Sequence, residues 1–214
     1  MFIITLKALK LELSTYLAPL IFGNTGNLGL PLALFAFGEE GLSYAVVISA
    51  VMAILSFTIG VWIVSGGGSL LRVIKEPVVA ATLLGAVFLM QGWRTPTFLT
   101  NALELIGQMA IPVMLITLGV AVARLETRDM ARAVWLSVLK ALVCALAAFG
   151  AARWFGLAPV PTAVLIVQIS TPVAVTSYLL AEKYGKEAQP VAGLVVASTL
   201  LSVVALPLIL AFVI

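Results

Sequence analysis

The sequence predicts an all-α integral membrane protein of about seven transmembrane helices. Three observations carry that prediction. Hydrophobic residues make up 63% of the 214 positions and charged residues 10%, and the mean hydropathy is +1.21. Soluble domains carry ~25% charged residues, and a chain of this length has too little interior to hide so much apolar surface. Second, the apolar residues gather into stretches near the ~20 residues that a spanning helix needs. The stretches are continuous rather than alternating, which excludes a β-barrel. Third, the cationic residues fall very unevenly on the connecting segments.

In chain order, the first span is expected over 13–37, interrupted at Gly23-Asn24-Thr25-Gly26-Asn27. The second covers 44–64 and the third, a short one, 77–90. The fourth covers 103–123 with Pro112 inside, and the fifth 133–155 with Lys140 inside. The sixth covers 162–180, interrupted around Ser170-Thr171-Pro172, and the seventh 191–214. Of the 12 Lys and Arg, nine share one side of this arrangement: Lys7, Lys10, Arg72, Lys75, Arg124, Arg128, Arg132, Lys183 and Lys186. Only Arg94 and Arg153 fall on the other side. The positive-inside rule then puts residue 1 in the cytoplasm and the C-terminus outside, across a plasma or inner membrane.

Composition excludes several function classes. There is no histidine and a single cysteine, Cys144. A His-based triad, a His metal site and an intramolecular disulfide are therefore excluded. No Asp or Glu lies deep in a span, so an intramembrane enzyme has no embedded acid pair. Cys144 lies in an apolar span and reads as packing. No basic run carries interleaved aromatics, so nucleic acid is not an expected partner. Residues 1–13 show no small-residue cleavage pattern, so no signal peptide is read there.

The two interrupted spans stand in a repeat. Aligning Gly38 with Gly185, a shift of 147, brings Leu32 onto Leu179, Glu40 onto Glu187, Ala45 onto Ala192 and Ala50 onto Ala197. Each copy has a broken span, a Gly turn with charged residues, then an unbroken span. The copies are offset by five spans, an odd number, so they cross the membrane in opposite senses. Inverted repeats are a signature of secondary transporters. On this reading residues 1–64 are a two-helix remnant of the first repeat, with its first helix broken. Residues 65–76 are a cytoplasmic loop. Residues 77–214 are the second repeat, five helices with the fourth broken. About three helices of the first repeat are then expected to precede residue 1. The alternative is a seven-helix protein with a chance repeat.

Broken backbone inside a bilayer is tolerated only where it lines a cavity or is buried in protein. Gly23 and Gly26 permit a break, and Pro172 imposes one by removing an amide donor. Half-helix N-termini then face the membrane midplane with free N–H groups and partial positive charge, which suits a carboxylate. The expected substrate-binding set is Asn24, Thr25, Asn27, Thr171, Pro172, Thr176, Ser177 and Lys140, with Ser170 beside them. Lys140 lies eight residues past Arg132, ~12 Å deep. It could offset substrate charge, snorkel, or cap a carbonyl of a broken helix. Gln108 and Gln168 are weaker candidates. Pro112, Gly119 and Ala121 read as helix packing.

The run Gly23-Asn24-Thr25-Gly26-Asn27-Leu28-Gly29-Leu30-Pro31, followed by Phe37-Gly38-Glu39, resembles the fourth helix of the auxin efflux carrier family. That family includes plant PIN carriers and bacterial malonate or malate permease-like proteins. Ala110-Ile111-Pro112 through Leu118-Gly119 resembles its seventh helix. Thr171-Pro172 through Ala181-Glu182-Lys183-Tyr184-Gly185 is similar to the ninth. Ser198-Thr199-Leu200-Leu201-Ser202 and Leu206-Pro207 are similar to the tenth. The resemblance implies ten helices in two inverted repeats, both termini outside, and crossed broken helices at the substrate site. It also implies elevator-like movement of a transport domain against a scaffold, often in a homodimer. Gly23 and Asn24 stand where plant members carry a Pro-Asn pair. Pro172 matches the second crossover proline, with Val173 where a polar residue can follow. These departures point from auxin to a small dicarboxylate such as malonate or malate. No cofactor is expected beyond a possible coupling proton or sodium ion. The competing readings are a channel, a seven-helix ligand sensor, or an inactive truncated carrier.

Overall fold

The computed structural model describes residues 1–66, 77–124 and 129–213. The ordered elements are α-helices α1 (Phe2–Ala8), α2 (Leu13–Ile21), α3 (Leu30–Leu55), α4 (Val61–Ser65), α5 (Pro77–Gln91) and α6 (Thr97–Arg124). They continue with α7 (Met130–Trp154), α8 (Pro159–Ile169), α9 (Val175–Lys183) and α10 (Ala188–Val213). Two π-helical turns, Thr25–Gly29 and Ser56–Gly60, run directly into α3 and α4. Among the described residues the protein is all α, and every expected span is helical. The expected loop over 65–76 lies outside the described residues apart from Ser65 and Gly66. So do Arg72, Lys75 and Arg128 of the charge count.

Among the described residues, three helical runs are long and apolar enough to cross a membrane: Thr25–Ser65, Met130–Trp154 and Ala188–Val213. The first has 41 residues. Extended, it would measure ~62 Å, twice the ~30 Å hydrocarbon core. It does not run straight. Gly38 has φ +64° and ψ −157°, outside the helical region. The Ser49 hydroxyl donates to the Thr25 carbonyl at 3.0 Å, although 24 residues separate them. Residues that far apart in one helix would be ~36 Å apart. The chain therefore reverses at Gly38 into a helical hairpin, and these two arms are the first two expected spans. Gly185, its mate in the repeat alignment, also has φ +64° and sits in the turn between α9 and α10. A left-handed φ favours glycine because a Cβ would crowd the carbonyl.

Burial is inverted relative to a soluble protein. Large apolar side chains such as Phe35, Trp62, Leu146 and Phe212 are exposed, as lipid-facing residues are. Lys140, Gln168, Thr171, Ser137 and Asn24 are buried. The main apolar cluster joins α1, α2, α7 and α10 through Leu6, Tyr16, Leu20, Leu136 and Leu194. A smaller one packs Ala33 and Ala45 of the hairpin against Val164 of α8. Helix α5 contacts α3, and α6 contacts the turn Thr25–Gly29 together with α3, α9 and α10, while Leu103, Leu105, Ile106 and Met109 of α6 are exposed.

Candidate functional site

Both interruptions expected from the sequence are present. Helix α2 ends at Ile21, and helical geometry resumes at Thr25. Helix α8 ends at Ile169, and α9 starts at Val175. The half-helices are short, ~14–16 Å for 9–11 residues, so each break falls near mid-membrane.

The two extended pieces meet. Gly23 and Val173 form an isolated antiparallel β-bridge. The Asn24 N–H donates to the Pro172 carbonyl at 2.7 Å. The Val173 N–H donates to Ser198 Oγ of α10 at 2.9 Å. Lys140 Nζ of α7 donates to the Thr171 carbonyl at 2.7 Å. The Thr171 hydroxyl donates to the Gln168 carbonyl at 2.7 Å. Backbone groups that a break strands in an apolar medium cost several kcal/mol each if left unpaired. Here each strand, together with one side chain from α7 and one from α10, satisfies the other. Gly23 permits the approach: a Cβ there would collide with the Thr171 hydroxyl and press on its carbonyl.

A cavity of about 310 Å³ opens beside this crossing. Its polar wall is Asn24, Thr25, Asn27, Ser49, Ser56 and Thr176, and its apolar wall includes Phe22, Leu30, Met52 and Phe57. Among the described residues, no charged side chain lines it. Two helix N-termini end on it, the turn starting at Thr25 and α9 starting at Val175. Their first N–H groups have no intrahelical acceptor, so both positive dipole ends face one space. Asn24 is buried, and its Nδ2 has no partner among the described residues. The atom is itself buried, so reaching a ligand requires the Asn24 side chain to turn toward the cavity it lines.

The structure therefore brings Gly23, Asn24, Thr25, Gly26, Asn27 and Thr176 together on one cavity. It does not bring the other expected residues there. Thr171 and Pro172 lie behind the cavity and hold the crossing through their carbonyls. Ser177 is buried off the wall. Lys140, 1% exposed, caps the Thr171 carbonyl and shares a small hollow of about 10 Å³ with Ser137, Ser170 and Ser202. Gln108 is exposed on α6. Gln168 is buried with both amide atoms unpartnered. Sequence reasoning missed Ser49 and Ser56, isolated hydroxyls in an apolar span that become wall residues only because the hairpin folds back. It also gave no site role to Ser198, although the run Ser198-Thr199-Leu200-Leu201-Ser202 stands out in the resemblance. A larger hollow of about 720 Å³ lies between α7, α8 and α10. It is apolar and away from both breaks, so size alone does not mark the site.

A family model described as membrane transport protein matches residues 63–210. An uncharacterized transporter of Methanothermobacter thermautotrophicus is 30% identical over 192 residues, covering 86% of this chain and 63% of that protein. An uncharacterized transporter of Methanocaldococcus jannaschii is 24% identical over 198 residues, covering 88% of this chain and 64% of that protein. The chain thus spans just under two thirds of the length of these relatives. No solved structure matches.

Proposed function

The chain belongs to the membrane transport protein family, and we propose that it is the crossover-bearing part of a secondary carrier for small organic anions. The observation that carries this reading is the convergence of two helix N-termini, with the unpartnered Asn24 Nδ2, on one cavity at crossed broken helices. A carboxylate placed there accepts from free backbone N–H groups and from Asn24 without a cationic side chain. The cavity volume of about 310 Å³ suits a ligand of a few carbons, such as malonate or malate, at the low end of small-molecule pockets. The repeat reading is supported by the pairing of the two breaks. An elevator-like movement is the motion that crossed broken helices of inverted repeats would carry. On this reading the N-terminus is cytoplasmic, the carrier sits in the cell membrane, and a second copy of the chain is a candidate partner.

The test is uptake of radiolabelled malonate and malate, with a panel of monocarboxylates, into proteoliposomes holding the native protein. Accumulation above empty liposomes, lost in Asn24→Ala while membrane insertion persists, is the expected result. Full uptake by Asn24→Ala removes the site assignment. Downhill flux that never saturates favours a channel over a carrier.

A further inference from the structure

The larger hollow has its own chemistry. Its walls are Leu146 and Phe149 of α7, Ile166 of α8, and Leu208, Ile209 and Phe212 of α10. It runs to the end of α7, where Gly156 turns the chain with φ +61°. Two polar side chains line it, Thr162 and Arg153. The Thr162 hydroxyl is already used, donating to the Leu157 carbonyl at 3.2 Å. Arg153 is exposed, and among the described residues it has no ion-pair partner. Among the described residues, no acidic side chain lines the hollow. Next to Arg153, Trp154 is 86% and Phe155 75% exposed. Exposed aromatics at a helix end mark the membrane–water boundary. The result is an apolar slot that begins among lipid tails and ends at headgroup level beside one free guanidinium.

We propose that this slot binds an anionic phospholipid, with one acyl chain between α7, α8 and α10 and the phosphate on Arg153. A guanidinium matches phosphate with paired N–H donors, and on the expected topology this headgroup lies in the outer leaflet. The slot shares no lining residue with the cavity at the crossing. Lipid binding there stands or falls independently of transport.

Native mass spectrometry of the detergent-solubilised protein tests this, using dioleoyl-phosphatidylglycerol and dioleoyl-phosphatidylcholine as probes. Phosphatidylglycerol is expected to bind at least tenfold more tightly at low salt. Arg153→Gln is expected to reduce it to the phosphatidylcholine level, whereas Arg94→Gln leaves the preference intact. Ala145→Phe, which fills the slot, is expected to weaken both lipids. An arginine that only offsets the α7 C-terminus would stabilise the protein equally in either lipid. Should Arg153→Gln fail to fold, loss of the preference at 0.5 M salt on the unaltered protein reads the same headgroup contact. Equal binding of the two lipids, a preference that survives Arg153→Gln, or a dimer free of lipid would overturn the proposal.

Discussion

Asn24 and Lys140 are both buried polar residues at the crossing, and they do different work. The Asn24 backbone N–H is committed to Pro172, while its side-chain amide keeps a donor free beside the cavity. The Lys140 side chain is spent on a carbonyl. Lys140→Met is therefore expected to strand the Thr171 carbonyl and cost about 1–3 kcal/mol of stability, read as a lower Tm in detergent. Substrate affinity per folded molecule should persist. An unchanged Tm with lost affinity would instead make Lys140 a substrate contact. The glycines divide in the same way. Gly23→Ala is expected to prevent the crossing, since its Cβ would strike Thr171. Gly26→Ala meets no atom within 4 Å and should fold normally. Both were read from the sequence as break-forming glycines, but only Gly23 is required by close approach. A sequence shows that a glycine is present; what its missing Cβ would touch depends on Thr171, in the other broken span.

At the scale of elements, the breaks and reversals are set locally and were legible. Pro172 lacks an N–H, and Gly38 takes a backbone conformation that costs other residues about 1–3 kcal/mol. Gly38→Ala should destabilise the protein by that amount without abolishing the hairpin, which thermal unfolding in detergent would show as a lower Tm. The span count was legible for a simple reason, because an apolar run of ~20 residues has few fates other than crossing a bilayer. Helix ends were less so. Helix α6 starts at Thr97 rather than near 103, since Thr97, Thr100 and Asn101 are tolerated in a first turn although they lower the hydropathy. Helix α1 was not expected at all. Its seven residues are held by burying Leu6 against Tyr16 and Leu20, a tertiary contact with no periodic signature. The π-helical turn at Ser56–Gly60 likewise left no trace in composition.

At the scale of the whole molecule, an elevator would move the crossed helices relative to α6. Spin labels at Leu105 of α6 and Leu179 of α9, both exposed, are expected to change their separation when substrate is added. Labels at Val134 of α7 and Leu200 of α10, both within the bundle helices and exposed, should not. Equal, unchanged distances in both pairs would rule out an elevator. The all-α membrane class was readable because composition sums many positions. The cavity was not, because its walls come from segments that only the hairpin and the crossing bring together.

The most direct test of the crossover site is protection of single cysteines from a membrane-impermeant thiol reagent. Cys144 would be replaced by Ser, and Thr176→Cys, Ser49→Cys and Ser198→Cys introduced one at a time. Thr176 and Ser49 line the cavity, and Ser198 lies behind the crossing. An anion that the protein accumulates should slow labelling at positions 176 and 49 and leave position 198 unchanged. Labelling at 176 and 49 that is indifferent to every transported anion would contradict a substrate site at the crossed helices.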